Sequence, residues 1–234
     1  IYACKMKSRD VKATYEFLKK QNVNILGDIS KNPNGDDHFY LRDLYGNVFE
    51  IVKAEDWFGK TNFTTGGSYG AVIGVTDMEK SIAFYSDILG FDKIIYDKEE
   101  IFSDTAVLTG GNNKSRRVLL AQSESRRGPF SKLLGNGEIE LVKVYDRTPN
   151  EIFANRYWGD LGFIHLCFDI QSMDKMKTLC ESKGYPFTVD SGNHFDMGEA
   201  AGHFSYIEDP DGALIEFVET HKVPILKKFG WYLN

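Results

Sequence analysis

The stretch His38-Phe-Tyr-Leu-Arg-Asp-Leu-Tyr-Gly-Asn-Val-Phe-Glu50-Ile-Val52 reads as strand, tight turn, strand. Asp43-Leu-Tyr-Gly46 supplies the turn, because glycine takes positive φ without penalty. The pattern returns near the other end as His203-Phe-Ser-Tyr-Ile-Glu-Asp-Pro-Asp-Gly-Ala-Leu-Ile-Glu216-Phe-Val218, with Asp209-Pro-Asp-Gly212 as the turn. In both, a glutamate stands four residues after the glycine, inside an apolar strand. Such self-similarity governs the whole reading, since each copy is one supersecondary unit.

Working outward, what precedes each hairpin also repeats. Residues 1–7 form a short strand and 9–20 a helix on Val11, Tyr15 and Leu18. Residues 69–75 are a second such strand. Thr76-Asp-Met-Glu79 offers a capping box, and Met78, Ile82, Tyr85 and Leu89 make a helical stripe. Residues 163–170 are a third strand, and Ser172 is placed to cap a helix that passes Cys180 and ends at Lys183-Gly184. The unit is β-α-β-β-β, and it occurs at 1–54, 68–146 and 162–220. The fold class is therefore α+β. Residues 55–67 lose strand periodicity and end in Gly-Gly, which reads as a linker. The middle copy carries a surface insertion over 122–137.

Bulk composition narrows the function. Lys and Arg total 28 against 34 Asp and Glu, a net charge of −6. Nucleic acid and anionic membranes demand a clustered basic surface, so neither is expected as a partner. No apolar run approaches the roughly 18–20 residues of a membrane span. Cys4, Cys167 and Cys180 make no Cys-x-x-Cys pair, which suits a reducing cytoplasm, with Cys167 expected to be a buried, inert thiol. Thr109-Gly-Gly-Asn112 lacks the spacing of a phosphate loop.

Val75-Thr-Asp77, Phe84-Tyr85 and Leu89-Gly-Phe91, together with the ending Asp209-Pro-Asp-Gly-Ala-Leu-Ile-Glu216, resemble the module signature of the vicinal oxygen chelate superfamily. That group includes glyoxalase I, bleomycin-resistance proteins, methylmalonyl-CoA epimerases and extradiol dioxygenases. The resemblance spans nearly all of 1–220. It implies modules paired into half-open barrels around a divalent metal (Zn, Ni, Mn, Co or Fe), each module giving one ligand at the start of its first strand and one on its last. The last-strand positions are Glu50, Glu140 and Glu216. The first-strand positions, seven residues before the residue that opens each helix, are Ala3, Gly70 and His165. With the second and third modules paired, 68–220 becomes the metal-binding domain, holding Glu140, His165 and Glu216, with Gly70 blank. Strand alternation places His165, Cys167 and Asp169 on one face. A carboxylate among apolar neighbours is costly to bury unpaired, and a metal relieves that cost.

The resemblance further implies a small-molecule substrate with vicinal oxygens. His203, Tyr206, Arg126 and Arg127 are the expected substrate contacts, with Arg116, Arg117 and His194 as further candidates. The plainer alternative makes His165 a core histidine, Glu138 and Glu140 a solvated face and the arginines a solvated loop. The leading expectation is a lyase, isomerase or epimerase working through an enediolate-like intermediate, with Glu216 or Glu140 as the base. An extradiol dioxygenase is a second reading, counted against by Gly70 where its second histidine would stand. A ligand-sequestering protein without catalysis is a third. The apolar tail 221–234 is expected to dock on the body or on a second subunit, as in a homodimer. Three modules leave one unpaired, so a fourth module before Ile1, paired with 1–54, is also expected.

Overall fold

The computed structural model describes residues 1–147, 149–193, 195–196, 201–226 and 231–233. His194 lies outside them. The chain divides into two units, Ile1–Phe163 and Ile164–Asn234.

The first unit runs β1 (Ala3–Ser8), α1 (Val11–Lys20), β2 (Asn24–Lys31), β3 (Asp37–Arg42), β4 (Val48–Lys53), β5 (Thr65–Gly74), α2 (Met78–Asp87), β6 (Lys93–Glu100), β7 (Ser115–Ala121), α3 (Ser131–Leu134) and β8 (Glu138–Val144). Two β-α-β-β-β copies are evident, and their strands form one eight-stranded sheet in the order β2-β3-β4-β1-β5-β8-β7-β6. The architecture is mixed α+β, with curled sheets forming a half-barrel. The seam between copies is the antiparallel pair of β1 and β5, with Ala3 opposite Val72 and Lys5 opposite Gly70.

This seam corrects the expected pairing. The second module shares its sheet with the first, not with the third. Glu140 accordingly belongs to the first unit, and His165 and Glu216 to the second. Nor does 1–54 await a partner from elsewhere, because β1 already uses both of its edges, on β4 and on β5. The linker is shorter than expected. Gly66 and Gly67 already lie in β5, and the irregular stretch before it is pinned by Trp57 Nε1 donating to Ala54 O at 2.8 Å and by the Arg9 guanidinium 4.2 Å over the Trp57 ring.

Each sheet face has its own chemistry. Val11 and Tyr15 of α1 bury against Phe39 and Ile51 on one face. The opposite face carries Ala3, Tyr40, Val48 and Val72, and beside them a set of charged side chains described below. The helices start on acceptors: Asp10 Oδ1 accepts from Ala13 N at 3.0 Å, and Asp77 Oδ1 from Lys80 N at 3.1 Å. The second helix is thus capped by Asp77 rather than by Thr76.

The second unit runs β9 (His165–Asp169), α4 (Met173–Ser182), β10 (Val189–Asp190), β11 (Phe195–Asp196), β12 (Ala201–Glu208), β13 (Leu214–Leu226) and β14 (Trp231–Leu233). β9 lies parallel to β13, and β12 antiparallel to it. β13 continues into the tail, where β14 turns back to pair with it. Ser172 makes no side-chain cap. Instead the Glu219 carboxylate accepts from Ser172 N at 2.6 Å and Met173 N at 3.0 Å, placing a negative charge at the start of α4. Among the described residues no helix is long and apolar enough to cross a membrane.

Candidate functional site

Strand register makes the three modules comparable. In each, the last-strand glutamate sits beside a residue of the first strand: Glu50 beside Lys5, Glu140 beside Val72 and Glu216 beside Cys167. Two residues earlier on those first strands stand Ala3, Gly70 and His165. A tyrosine also faces the glutamate from the neighbouring strand in two modules, Tyr40 opposite Glu50 and Tyr206 opposite Glu216.

In the second unit this arrangement brings an imidazole and a carboxylate together. His165 Nε2 lies 3.0 Å from Glu216 Oε2, with 28% of the histidine side chain and 16% of the glutamate side chain exposed. The Tyr206 hydroxyl donates to Glu216 Oε1 at 2.6 Å and its ring packs edge-on against His165. Partial burial and the carboxylate beside it push the Tyr206 phenol above its ordinary range. Cys167 is exposed rather than buried, and its thiol bonds Glu216. It faces the side of the sheet that α4 does not cover.

The remaining expected contacts separate. His203 points to the opposite face from Tyr206, since the two stand three positions apart on one strand. Its Nε2 lies 2.6 Å from Asp190 Oδ1 and its Nδ1 2.8 Å from Asn193 Oδ1, while its neighbour Ser205 bonds Met173 Sδ in α4. His203 is therefore a residue of the helix side and not of the His165 side. Arg126 is structural: its Nη2 donates to Leu89 O at the end of the second helix, and the guanidinium stacks 5.6 Å over Phe91. Arg127 is exposed, 3.8 Å from Glu124. Arg116 bonds Glu79 at 2.6 Å and Asp97 at 2.7 Å on the surface.

In the first unit the equivalent ground is sealed. Glu140 is 1% exposed and accepts from Arg117 Nε at 2.6 Å, and Lys5 Nζ stands 3.0 Å from its other oxygen. Glu140 thus does not line a solvated face, nor does it stand free to hold a metal. Lys5 also reaches Glu138 at 2.8 Å and Glu50 at 3.2 Å. Arg117 continues to Asp104 at 2.7 Å, and His38 bridges Asp104 at 3.1 Å and Glu50 at 2.6 Å. Burial opposes the charge on Glu140, but Arg117 and Lys5 hold its carboxyl well below the usual range. Burial likewise opposes the His38 imidazolium, yet bonds to Asp104 and Glu50 push it up to about 9. No local sequence pattern marks Lys5, His38, Asp104 and Arg117 as a network. The one available signal is Lys5 between Cys4 and Met6, a charge alternating with apolar residues in a first strand.

The two places differ in their donor chemistry toward a divalent metal. In the first unit it does not fit: Ala3 and Gly70 present no donor, and Glu50 and Glu140 are already neutralised. In the second unit His165 and Glu216 are donors of the right kind and partly accessible, so they fit as one half of a centre. Among the described residues no group of three or more His, Cys, Asp or Glu is gathered for a metal.

Comparison with known proteins agrees with this architecture. The family model for the glyoxalase/bleomycin resistance protein/dioxygenase superfamily matches residues 70–217, and the chain belongs to that superfamily. Glyoxalase I from Zea mays is similar in structure, with a TM-score of 0.59 and 16% identity, over 93% of this chain and 66% of the maize chain. A candidate dioxygenase from Bacillus subtilis subsp. subtilis strain 168 is similar with a TM-score of 0.56 and 14% identity, over 94% of this chain and 62% of the other. The chain thus spans about two thirds of the length of these structures, and at such identities the likeness is one of fold. No curated protein sequence matches it.

Proposed function

We propose that this chain is an enzyme of the lyase, isomerase or epimerase type within its superfamily. It acts on a small molecule with vicinal oxygens, and its divalent metal centre is founded on His165 and Glu216. The observation that carries this reading is the 3.0 Å approach of His165 to Glu216 on a partly open face, at the one module where both ligand positions hold donors.

A divalent ion, when bound, supplies Lewis-acid polarisation of two adjacent substrate oxygens. Every other part falls to the chain itself. Glu216 is the group placed to move a proton next to the polarised carbonyl. Tyr206 fixes one oxygen of that carboxylate through its 2.6 Å bond, so the other oxygen faces His165. The three free cysteines are compatible with the cytoplasm as its location.

Metal analysis tests the reading, with wild type beside His165→Ala and Glu216→Gln. We expect one divalent ion per chain in the wild type and its loss in both variants. Retention by both overturns the assignment. A second reading, ligand sequestration without catalysis, is favoured by the lack of a group of three or more metal donors among the described residues; a folded wild-type protein that takes up no metal on loading selects it. Oxygen uptake with catechols on Fe(II)-loaded protein would instead support ring cleavage.

A further inference from the structure

The first unit departs from what its family likeness implies, and the departure has a definite form. Three carboxylates from two modules converge on a single point: Glu50 from β4, and Glu138 and Glu140 from β8. That point is occupied by the Lys5 ammonium, at 3.2, 2.8 and 3.0 Å. Lys5 and Glu140 are each 1% exposed and Glu50 is wholly buried. Uncompensated, each such burial is strongly unfavourable, so the cation and the carboxylates are retained only together.

Two of the facing oxygens, Glu50 Oε2 and Glu140 Oε2, have the Lys5 ammonium as their cation, at 3.2 and 3.0 Å. The ammonium thus occupies the space among the three carboxylates. The imidazole positions are closed as well. Ala3 is fully buried, and a Cβ on Gly70 would stand 1.7 Å from Glu138 O, so no side chain can project there. Within the same chain the third module has Cys167 at the register position of Lys5, and its glutamate is partly open.

We propose that Lys5 is the resident cation of the first unit, standing in place of a divalent metal and making this half of the chain metal-independent. The proposal stands apart from the reading of His165 and Glu216, since it holds whether or not the second unit takes up an ion.

Removing the ammonium leaves three carboxylates around a space that a small divalent cation fills. The full chain is titrated with Mn2+ and bound ion is counted by electron paramagnetic resonance. Lys5→Ala is expected to bind one Mn2+ per chain more than the wild type, and to show a Mn2+-dependent rise in Tm that the wild type lacks. The gain should vanish in Lys5→Ala/Glu140→Gln. A folded Lys5→Ala that takes up no additional ion overturns the proposal. Should Lys5→Ala fail to fold, the wild type decides by amide NMR. Resonances of Gly70, Glu138 and Glu140 are expected to stay sharp under stoichiometric Mn2+, and their selective broadening, abolished by Glu50→Gln, overturns it.

Discussion

Lys5 Nζ stands 3.0 Å from Glu140 Oε2, and this contact joins the first strand of one module to the last strand of the next. The two residues lie on β1 and β8, with β5 between them in the sheet. The ammonium crosses β5 where β5 has only glycine, for Gly70 is the residue opposite Lys5. A blank at one ligand position and a lysine near the other are thus two sides of one arrangement. The same motif positions that hold donors in the third module are used in the first unit to lock two modules together.

Glu140→Gln removes one charge from this lock and leaves Lys5 and Arg117 undercompensated. Breaking a buried ion pair from one side costs about 3–5 kcal/mol. Urea denaturation should register a loss of that order, while metal content stays at the wild-type value. Glu216→Gln should show the reverse pattern, because its contact with His165 is partly solvated and such contacts contribute about 0–1 kcal/mol. Equal stability losses in the two variants, with metal lost from both, would return Glu140 to the ligand set.

His38 predicts an alkaline weakness. Its imidazole is raised from 6.5 to about 9 in the folded state by Asp104 and Glu50. A group raised on folding contributes stability that is full below its unfolded value and is lost as pH climbs to its folded value. Stability should therefore decline between about pH 6.5 and pH 9, by an amount on the order of 3 kcal/mol. Asp104 and Glu140 are depressed, so their contribution is lost at the other extreme, as pH falls below the ordinary carboxylate range. Unfolding curves across pH 6–10 check the alkaline limb, which should flatten in His38→Gln.

Gly70→Ala should be poorly tolerated although alanine is the smallest change available. Its Cβ would meet Glu138 O at 1.7 Å, and backbone cannot swing aside as a side-chain tip does. Parallel pairing of β5 with β8 must give way. We expect a markedly lowered Tm by circular dichroism, with Gly74→Ala, where a Cβ meets nothing within 4 Å, as the benign control.

The repeat was legible because turn chemistry and the glutamate four residues later are local. Helix starts were legible too, although at Ser172 the cap comes from Glu219, a residue 47 positions away that no local pattern announces. Module pairing was not legible: nothing in a strand's own sequence says which edge it will meet, and Lys5, read alone, suggests a solvent-facing position. One error was avoidable. His38 precedes Glu50 by 12 residues and His203 precedes Glu216 by 13, so the two histidines cannot share a face relative to their glutamates. That parity puts His38 in the charged network and His203 behind the sheet, against Asp190 and Asn193.

Tyr206 is the residue through which the His165 and Glu216 pair can be probed without touching a metal donor. Its hydroxyl holds Glu216 Oε1 at 2.6 Å, and its ring lies edge-on to His165 at 5.6 Å between centroids. Tyr206→Phe keeps the ring and removes only the donor. The fold should survive, since a net hydrogen bond contributes about 0.5–1.5 kcal/mol. Metal affinity should fall roughly 10–100-fold, the usual cost of losing a hydrogen bond that orients a ligating group. Competition with a calibrated chelator measures that fall. Unchanged affinity in Tyr206→Phe, beside abolished binding in His165→Ala, would mean that Glu216 meets the metal without help from the hydroxyl.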